Sequence, residues 1–244
     1  MSDIEQFQAD RRAEVAAMRS DTRLQAQALD LVDASMPHRY TYHFDWLGLP
    51  IIQLPTDMVA LQEILWNVKP RVVVETGVAR GGSLAFSASI LQLLGGDGIV
   101  VGIDIDIRDH NRKAIEAHPL ADRIVLVEGS SVDPGVVEAV HGHAADRQPA
   151  VVILDSLHTH DHVLAELRAY SNLVHEGSYL IVFDTTIEDL PPDRFPDRPW
   201  GVGDNPMTAV AAFLEESDGF VIDEDVDAKL LLTAARRGYL RCVR

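Results

Sequence analysis

The chain has 244 residues, 47% of them hydrophobic, a formal net charge of −17 and a single cysteine, Cys242. So much apolar residue excludes global disorder, the acidic balance argues against a nucleic-acid partner, and one cysteine leaves neither a disulfide nor a cysteine-rich zinc site. No apolar run approaches a bilayer span and the polar N-terminus lacks the apolar core of a signal peptide, so the chain reads as soluble and cytoplasmic, with no membrane partner.

Residues 2 to about 35 carry Val15, Met18, Leu24, Ala28, Leu31 and Val32 at loosely helical spacing. The next segment, YTYHFDWLGLPIIQLPTD, is aromatic and interrupted by Pro50 and Pro55, which predicts an irregular arm. Residues 1–55 are therefore set apart as a helical and aromatic arm, and 56–244 as the main domain. Thr56 or Asp57 is expected to cap a helix through Trp66.

From residue 71 the pattern alternates. RVVVETG, GIVVGID, RIVLVEG, AVVILD and SYLIVFD are short apolar runs of the kind that strands buried on both faces show, and helical segments separate them. A proline-rich loop (Pro191 to Pro206) leads to a helix, MTAVAAFLEES, and then to the runs FVIDED, KLLLTAA and YLRCV, read as strands of which two pair as a hairpin. The fold class is α/β, a doubly wound, mostly parallel, Rossmann-like sheet of seven strands behind the N-terminal arm.

Such sheets bind ligands at the carboxyl ends of their strands, where strand order reverses. The first strand ends in ETGVARGGS, with the spacing Glu75-x-Gly77-x-x-x-Gly81. Glycines let a ligand approach the backbone, the helix that follows points N–H groups at an anion, and Glu75 with Ser83 suits a ligand bearing both an ammonium and a carboxylate. A dinucleotide site would prefer G-x-G-x-x-G, which is absent. Asp104 ends the second strand, where a carboxylate accepts both hydroxyls of a ribose, and Ser130 and Ser131 in EGSSVD face an adenine edge on this reading.

Three readings compete for DSLHTHDH, which holds Asp155, His158, His160, Asp161 and His162. One is a zinc site of a metal-dependent hydrolase, although H-x-H-D-H is one residue short of the H-x-H-x-D-H spacing. A second is a polar helix start, with Thr159 as cap, Asp161 and Glu166 favouring the helix N-terminus, and His160 and His162 on its solvated side. The third makes Asp155 and His158 chemical groups.

The order acid-x-Gly-x-x-x-Gly, strand-end Asp, small polar turn and fourth-strand Asp resembles the class I S-adenosylmethionine-dependent methyltransferases over residues 71 to about 190. With the aromatic arm, DSLHTHDH and FDTTIEDLPPDRFPDRPWG, the chain more specifically resembles the cephalosporin hydroxylase/rhamnosyl O-methyltransferase family over roughly residues 38–240. The resemblance implies bound S-adenosylmethionine held by Glu75, Gly77, Gly81, Ser83, Asp104, Ser130, Ser131 and Asp155, a divalent metal such as Mg²⁺, and a homo-oligomer. In the catechol-type enzymes, which the chain also resembles, the metal ligands match Asp155, Asp184 and Thr185. In the sugar-methylating relatives the third ligand is an acid at the position of Phe183. His158 matches their general base, suited to drawing a proton from a sugar hydroxyl near neutral pH. Phe195 and Trp200, in a loop too long for a plain connector, would form an acceptor-side wall. The function expected is O-methylation of a sugar hydroxyl on a natural product or surface polysaccharide. A cofactor-binding accessory subunit of a tailoring complex and the hydrolase are the alternatives.

Overall fold

The computed structural model describes residues 2–244. Two N-terminal helices, α1 (Asp3–Ser20) and α2 (Thr22–Ser35), lead through short 3-10 turns into a hairpin, β1 (Phe44–Trp46) and β2 (Leu49–Ile51), and then α3 (Pro55–Val68). An alternating series follows: β3 (Val72–Thr76), α4 (Gly82–Leu94), β4 (Ile99–Asp104), α5 (Asp109–Glu116), β5 (Ile124–Glu128), α6 (Pro134–Ala144), β6 (Ala150–Leu154), α7 (His160–Tyr170) and β7 (Tyr179–Val182). The chain closes with α8 (Pro206–Glu216), β8 (Phe220–Ile222), α9 (Glu224–Leu230) and β9 (Tyr239–Cys242).

Seven strands form one sheet in the order β5-β4-β3-β6-β7-β9-β8. Five are parallel, and β9 runs antiparallel between β7 and β8. The expected doubly wound sheet is present, and its side chains show the winding directly. Val73, Val100, Val151 and Ile181 enter one core with α3 and α4, whereas their neighbours Val72, Val101, Val152 and Leu180 enter a second core with α7 and α8. Every residue of β3 and of β6 is buried, as layers on both faces require. Strand order reverses between β3 and β6, so the ends of those two strands open the cleft.

The arm is more ordered than its prolines imply. Leu47 and Gly48 both take positive φ, 47° and 92°, the two-residue turn that matches strand twist, and they close the β1–β2 hairpin. Leu49 and Ile51 then sink into the core beside the sheet. The N-terminal helix is two helices: Asp21 ends the first, and its side chain caps the second by accepting from the Leu24 amide. No helix among the described residues is long and apolar enough to cross a membrane.

Two expectations fail together. Neither Thr56 nor Asp57 caps α3, which starts with Leu54 as cap and Pro55 in its first turn. KLLLTAA is not a strand either; it is the end of α9 followed by an irregular turn. The two errors share a cause. Thr56 Oγ1 donates to the Leu232 carbonyl. Buried Asp57 accepts from Thr233 Oγ1, the Ala234 amide (2.9 Å) and the Tyr239 hydroxyl (2.8 Å). The turn divides its backbone groups between α3 and Thr186, which takes the Thr233 and Ala234 carbonyls, instead of pairing in a sheet ladder.

Candidate active site

Gly77 sets the floor of the cleft. Its φ of 94° suits glycine, and a Cβ there would lie 2.0 Å from the Asp155 carbonyl oxygen, so only glycine lets the ends of β3 and β6 meet this closely. The loop that follows is held from outside. Asp104 Oδ2 accepts from the amides of Val78 (2.9 Å) and Ala79 (3.2 Å), and Asn111 donates to the Ala79 carbonyl at 2.8 Å. Asp104 is therefore already engaged in shaping the glycine loop. Gly81 opens α4 in the left-handed region. Ser83 Oγ donates to Glu75 Oε1, leaving Glu75 Oε2 buried without a partner, and burial pushes the Glu75 carboxyl up to about 7.

The serine pair after β5 divides. Ser130 is half-buried, and its carbonyl accepts from the Asp133 amide. Ser131 does not offer its hydroxyl to an adenine edge: that hydroxyl is buried, donates to Glu166 Oε1 at 2.5 Å and lies 3.1 Å from His162 Nε2. Ser156 meets the same two groups. Glu166, expected near the positive end of a solvated helix, has a side chain with no exposed surface and anchors this network.

The histidine run is accordingly split three ways. His162 turns inward to Glu166 (3.3 Å), against the expectation of a solvated side chain. His160 reaches Thr208 at 2.9 Å. His158 alone enters the cleft. Thr159 makes no side-chain cap; instead Asp204, from the proline-rich loop, accepts from the His160 amide at 2.7 Å. The zinc-hydrolase reading needed these histidines together, and the fold separates them.

What converges is Asp155, His158 and Asp184, each offering an atom within 4.8 Å of the other two. His158 Nε2 stands 3.0 Å from Asp184 Oδ2. Asp184 has a φ of 56°, a left-handed conformation that aspartate enters more readily than most residues and that clusters at functional sites. Burial, and then the charges of Asp184, Glu75, Glu166 and Asp57, hold the Asp155 carboxyl well above the usual carboxylate range. So many carboxylates with so little positive charge among them suit a divalent cation and its waters. Thr185 does not complete the set, because its side chain is buried and its hydroxyl donates to the Arg236 carbonyl at 2.7 Å. The third group within reach of both carboxylates is the imidazole of His158.

Above this cluster lies a cavity of about 750 Å³, lined among others by Tyr40, His158, Asp184, Phe195 and Trp200. Phe195 and Trp200 both line it, and the Trp200 and His158 rings meet edge to face at 4.9 Å. The loop carrying Trp200 is tied at both ends. Glu188 accepts from the Gly203 amide and Asn205, and Arg194 forms a two-bond fork with Asp33 of α2 at 2.7 Å each. Sequence reasoning missed Asp33, Arg194, Asn111 and Gln53. None stands in a local motif, and only the pairing of distant segments makes them visible.

The model of the rhamnosyl O-methyltransferase/CmcI family matches residues 38–243. The rhamnosyl O-methyltransferase of Mycobacterium tuberculosis (strain ATCC 25618 / H37Rv) is 31% identical over 201 residues, covering 80% of this chain and 76% of its own length. That of Mycobacterium leprae (strain TN) is 30% identical over 199 residues, covering 80% and 81%. A solved structure described as CmcI-D160 with Mg and SAM superposes with a TM-score of 0.58 at 24% identity, covering 83% of this chain and 78% of that one. The O-methyltransferase from Bacillus cereus in complex with SAH gives 0.52 at 14% identity, covering 92% of each chain. At such identities the structures speak for the shared fold, while the family match spans most of the chain. The chain belongs to the rhamnosyl O-methyltransferase/CmcI family of class I S-adenosylmethionine-dependent O-methyltransferases.

Proposed function

We propose that this chain methylates a hydroxyl group on a sugar, free in a glycosylated natural product or part of a surface polysaccharide, with S-adenosylmethionine as donor and Mg²⁺ as helper. The observation that carries the reading is the Asp155–His158–Asp184 cluster at the base of a 750 Å³ cavity that opens beside the glycine loop. The names of the mycobacterial relatives support a sugar acceptor. A cytoplasmic location goes with this reading. So does self-association through the N-terminal helices, where Ile4, Phe7 and Leu31 are more than half exposed.

Glu75, Gly77, Gly81, Ser83, Asp104 and Ser130 line the cofactor side on this reading, with Asp155 between cofactor and metal. Asp155 and Asp184 would hold the ion. When bound, the ion offsets the two carboxylates and lowers the pKa of the acceptor hydroxyl, and the sulfonium supplies an electrophilic methyl group. His158 takes the hydroxyl proton, with its ring oriented by Asp184 and steadied by Trp200. Trp200 and Phe195 stack on the sugar and hold its oxygen toward the cofactor side.

The test is thermal stability with S-adenosylhomocysteine, NAD⁺, Mg²⁺ and Zn²⁺, singly and combined, followed by transfer of labelled methyl to sugar acceptors. A ligand at about 100 times its Kd adds roughly 2.7 kcal/mol to the folded state. Stabilisation by S-adenosylhomocysteine, enlarged by Mg²⁺, is the expected result. Stabilisation by Zn²⁺ alone would overturn the reading.

A further inference from the structure

Gln53 follows the β1–β2 hairpin, is 4% exposed, and has its Oε1 buried with no hydrogen-bond partner. Leaving such an atom unmet is costly, because the desolvation of the oxygen goes uncompensated. The side chain lines two adjoining spaces, the large acceptor cavity and a small one of about 40 Å³ bounded by Pro50, Ile52, Asp155 and the loop from Gly77 to Ser83. Its position is fixed by backbone contact: a Cβ on Gly82 would lie 2.3 Å from the Pro50 carbonyl oxygen, so the hairpin rests directly on the glycine loop.

Gln53 Oε1 has a counterpart. Glu75, at the head of the same loop, also keeps a buried oxygen, Oε2, without a partner. One orphan acceptor comes from the N-terminal segment and the other from the sheet. Ser83, which donates to the other Glu75 oxygen, lines the small space together with Gln53. A group with several N–H donors and a positive charge in that space suits a lone carboxamide oxygen near a carboxylate, and among the parts of the cofactor only the α-ammonium of its methionine end has that chemistry. Resting on the reading that this cleft takes S-adenosylmethionine, we propose that Gln53 is a cofactor-positioning residue whose carboxamide oxygen accepts a hydrogen bond from the α-ammonium. The hairpin then clamps the methionine end against the glycine loop.

The test is a binding cycle on the full chain by calorimetry. It uses S-adenosylhomocysteine and its desamino analogue, in which hydrogen replaces the ammonium, against the unaltered protein and Gln53→Leu. Gln53→Leu is expected to weaken S-adenosylhomocysteine binding about tenfold or more, as loss of a hydrogen bond to a charged group does, and to leave the desamino analogue within about twofold. Gln53→Glu sets a charged acceptor against the ammonium and should widen the preference for the amino ligand; it decides the matter alone if Gln53→Leu does not fold, an unchanged preference overturning the proposal. Equal weakening of both ligands, or none, overturns the proposal while leaving the cofactor reading intact. Failure of the unaltered protein to bind S-adenosylhomocysteine overturns the cofactor reading, and the proposal with it.

Discussion

His158 Nε2 lies 3.0 Å from Asp184 Oδ2, while the same imidazole meets Trp200 edge to face. A carboxylate on one side and an aromatic ring on the other leave the ring one orientation, which is what a general base requires. His158→Ala should lower kcat by about 10²–10⁴, the range for loss of such a base, with S-adenosylhomocysteine affinity unchanged. The loss should persist at saturating Mg²⁺, which separates a base from a residue that only holds the ion. Labelled-methyl transfer measures it, and an undiminished kcat would reduce His158 to part of a helix start.

Thr185 and Asp184 are neighbours with opposite expected roles. Thr185→Val removes one buried hydrogen bond to Arg236 and should cost about 1 kcal/mol of stability, leaving any Mg²⁺-dependent rise in Tm intact. Asp184→Asn should abolish that rise. A metal effect lost in Thr185→Val would put the hydroxyl in the coordination shell and contradict its placement here.

Trp200→Ala should raise the acceptor KM about three- to tenfold, the scale of one aromatic contact. Cofactor affinity should not change, because Trp200 lines the acceptor cavity and not the small space beside the glycine loop. Parallel KM and Kd measurements decide it, and a matching loss of cofactor affinity would mean that the loop supports the whole cleft.

Two buried carboxyls give the ligand-free protein a signature in pH. Burial raises Asp57 to about 6 and Glu75 to about 7. A carboxyl whose folded pKa lies above its unfolded value binds its proton more tightly in the folded state, so stability falls as pH climbs through the interval between the two. Each group contributes up to about 3 kcal/mol of loss between pH 4 and 8. Urea unfolding in EDTA should show a lower midpoint at pH 8 than at pH 5, with a shallower trend in Asp57→Asn. A flat or rising profile would show that these carboxyls ionise freely.

The parallel strands were legible because each is an unbroken apolar run ending in a polar or glycine element, and the cleft followed from those ends. Asp155 and Asp184 stand just past such strand ends, whereas His158, and the roles expected of all three, came from the family resemblance. Ser131 was misread because a serine in a turn has no signature that tells a ligand contact from a bond to a buried carboxylate on a neighbouring helix. Thr185 was misread because its partner, the Arg236 carbonyl, belongs to a turn that the apolar KLLLTAA run disguised as a strand. The β1–β2 hairpin was hidden by Pro50 and by Leu47, since a two-residue turn with both φ values positive ordinarily opens on Asn, Asp or Gly. The two serine and threonine misses concern hydrogen bonds made across a long sequence separation, where local pattern carries no information.

The fork between Arg194 and Asp33 joins the acceptor loop to the second helix of the chain. The acceptor wall is thus a shared property of two segments that translation makes far apart. A change at Asp33 strands a half-buried guanidinium in the loop, and a change at Arg194 strands the carboxylate. A chimera that transplants the loop without its matching N-terminal helix would therefore carry over the wall while losing the ion pair that ties it down.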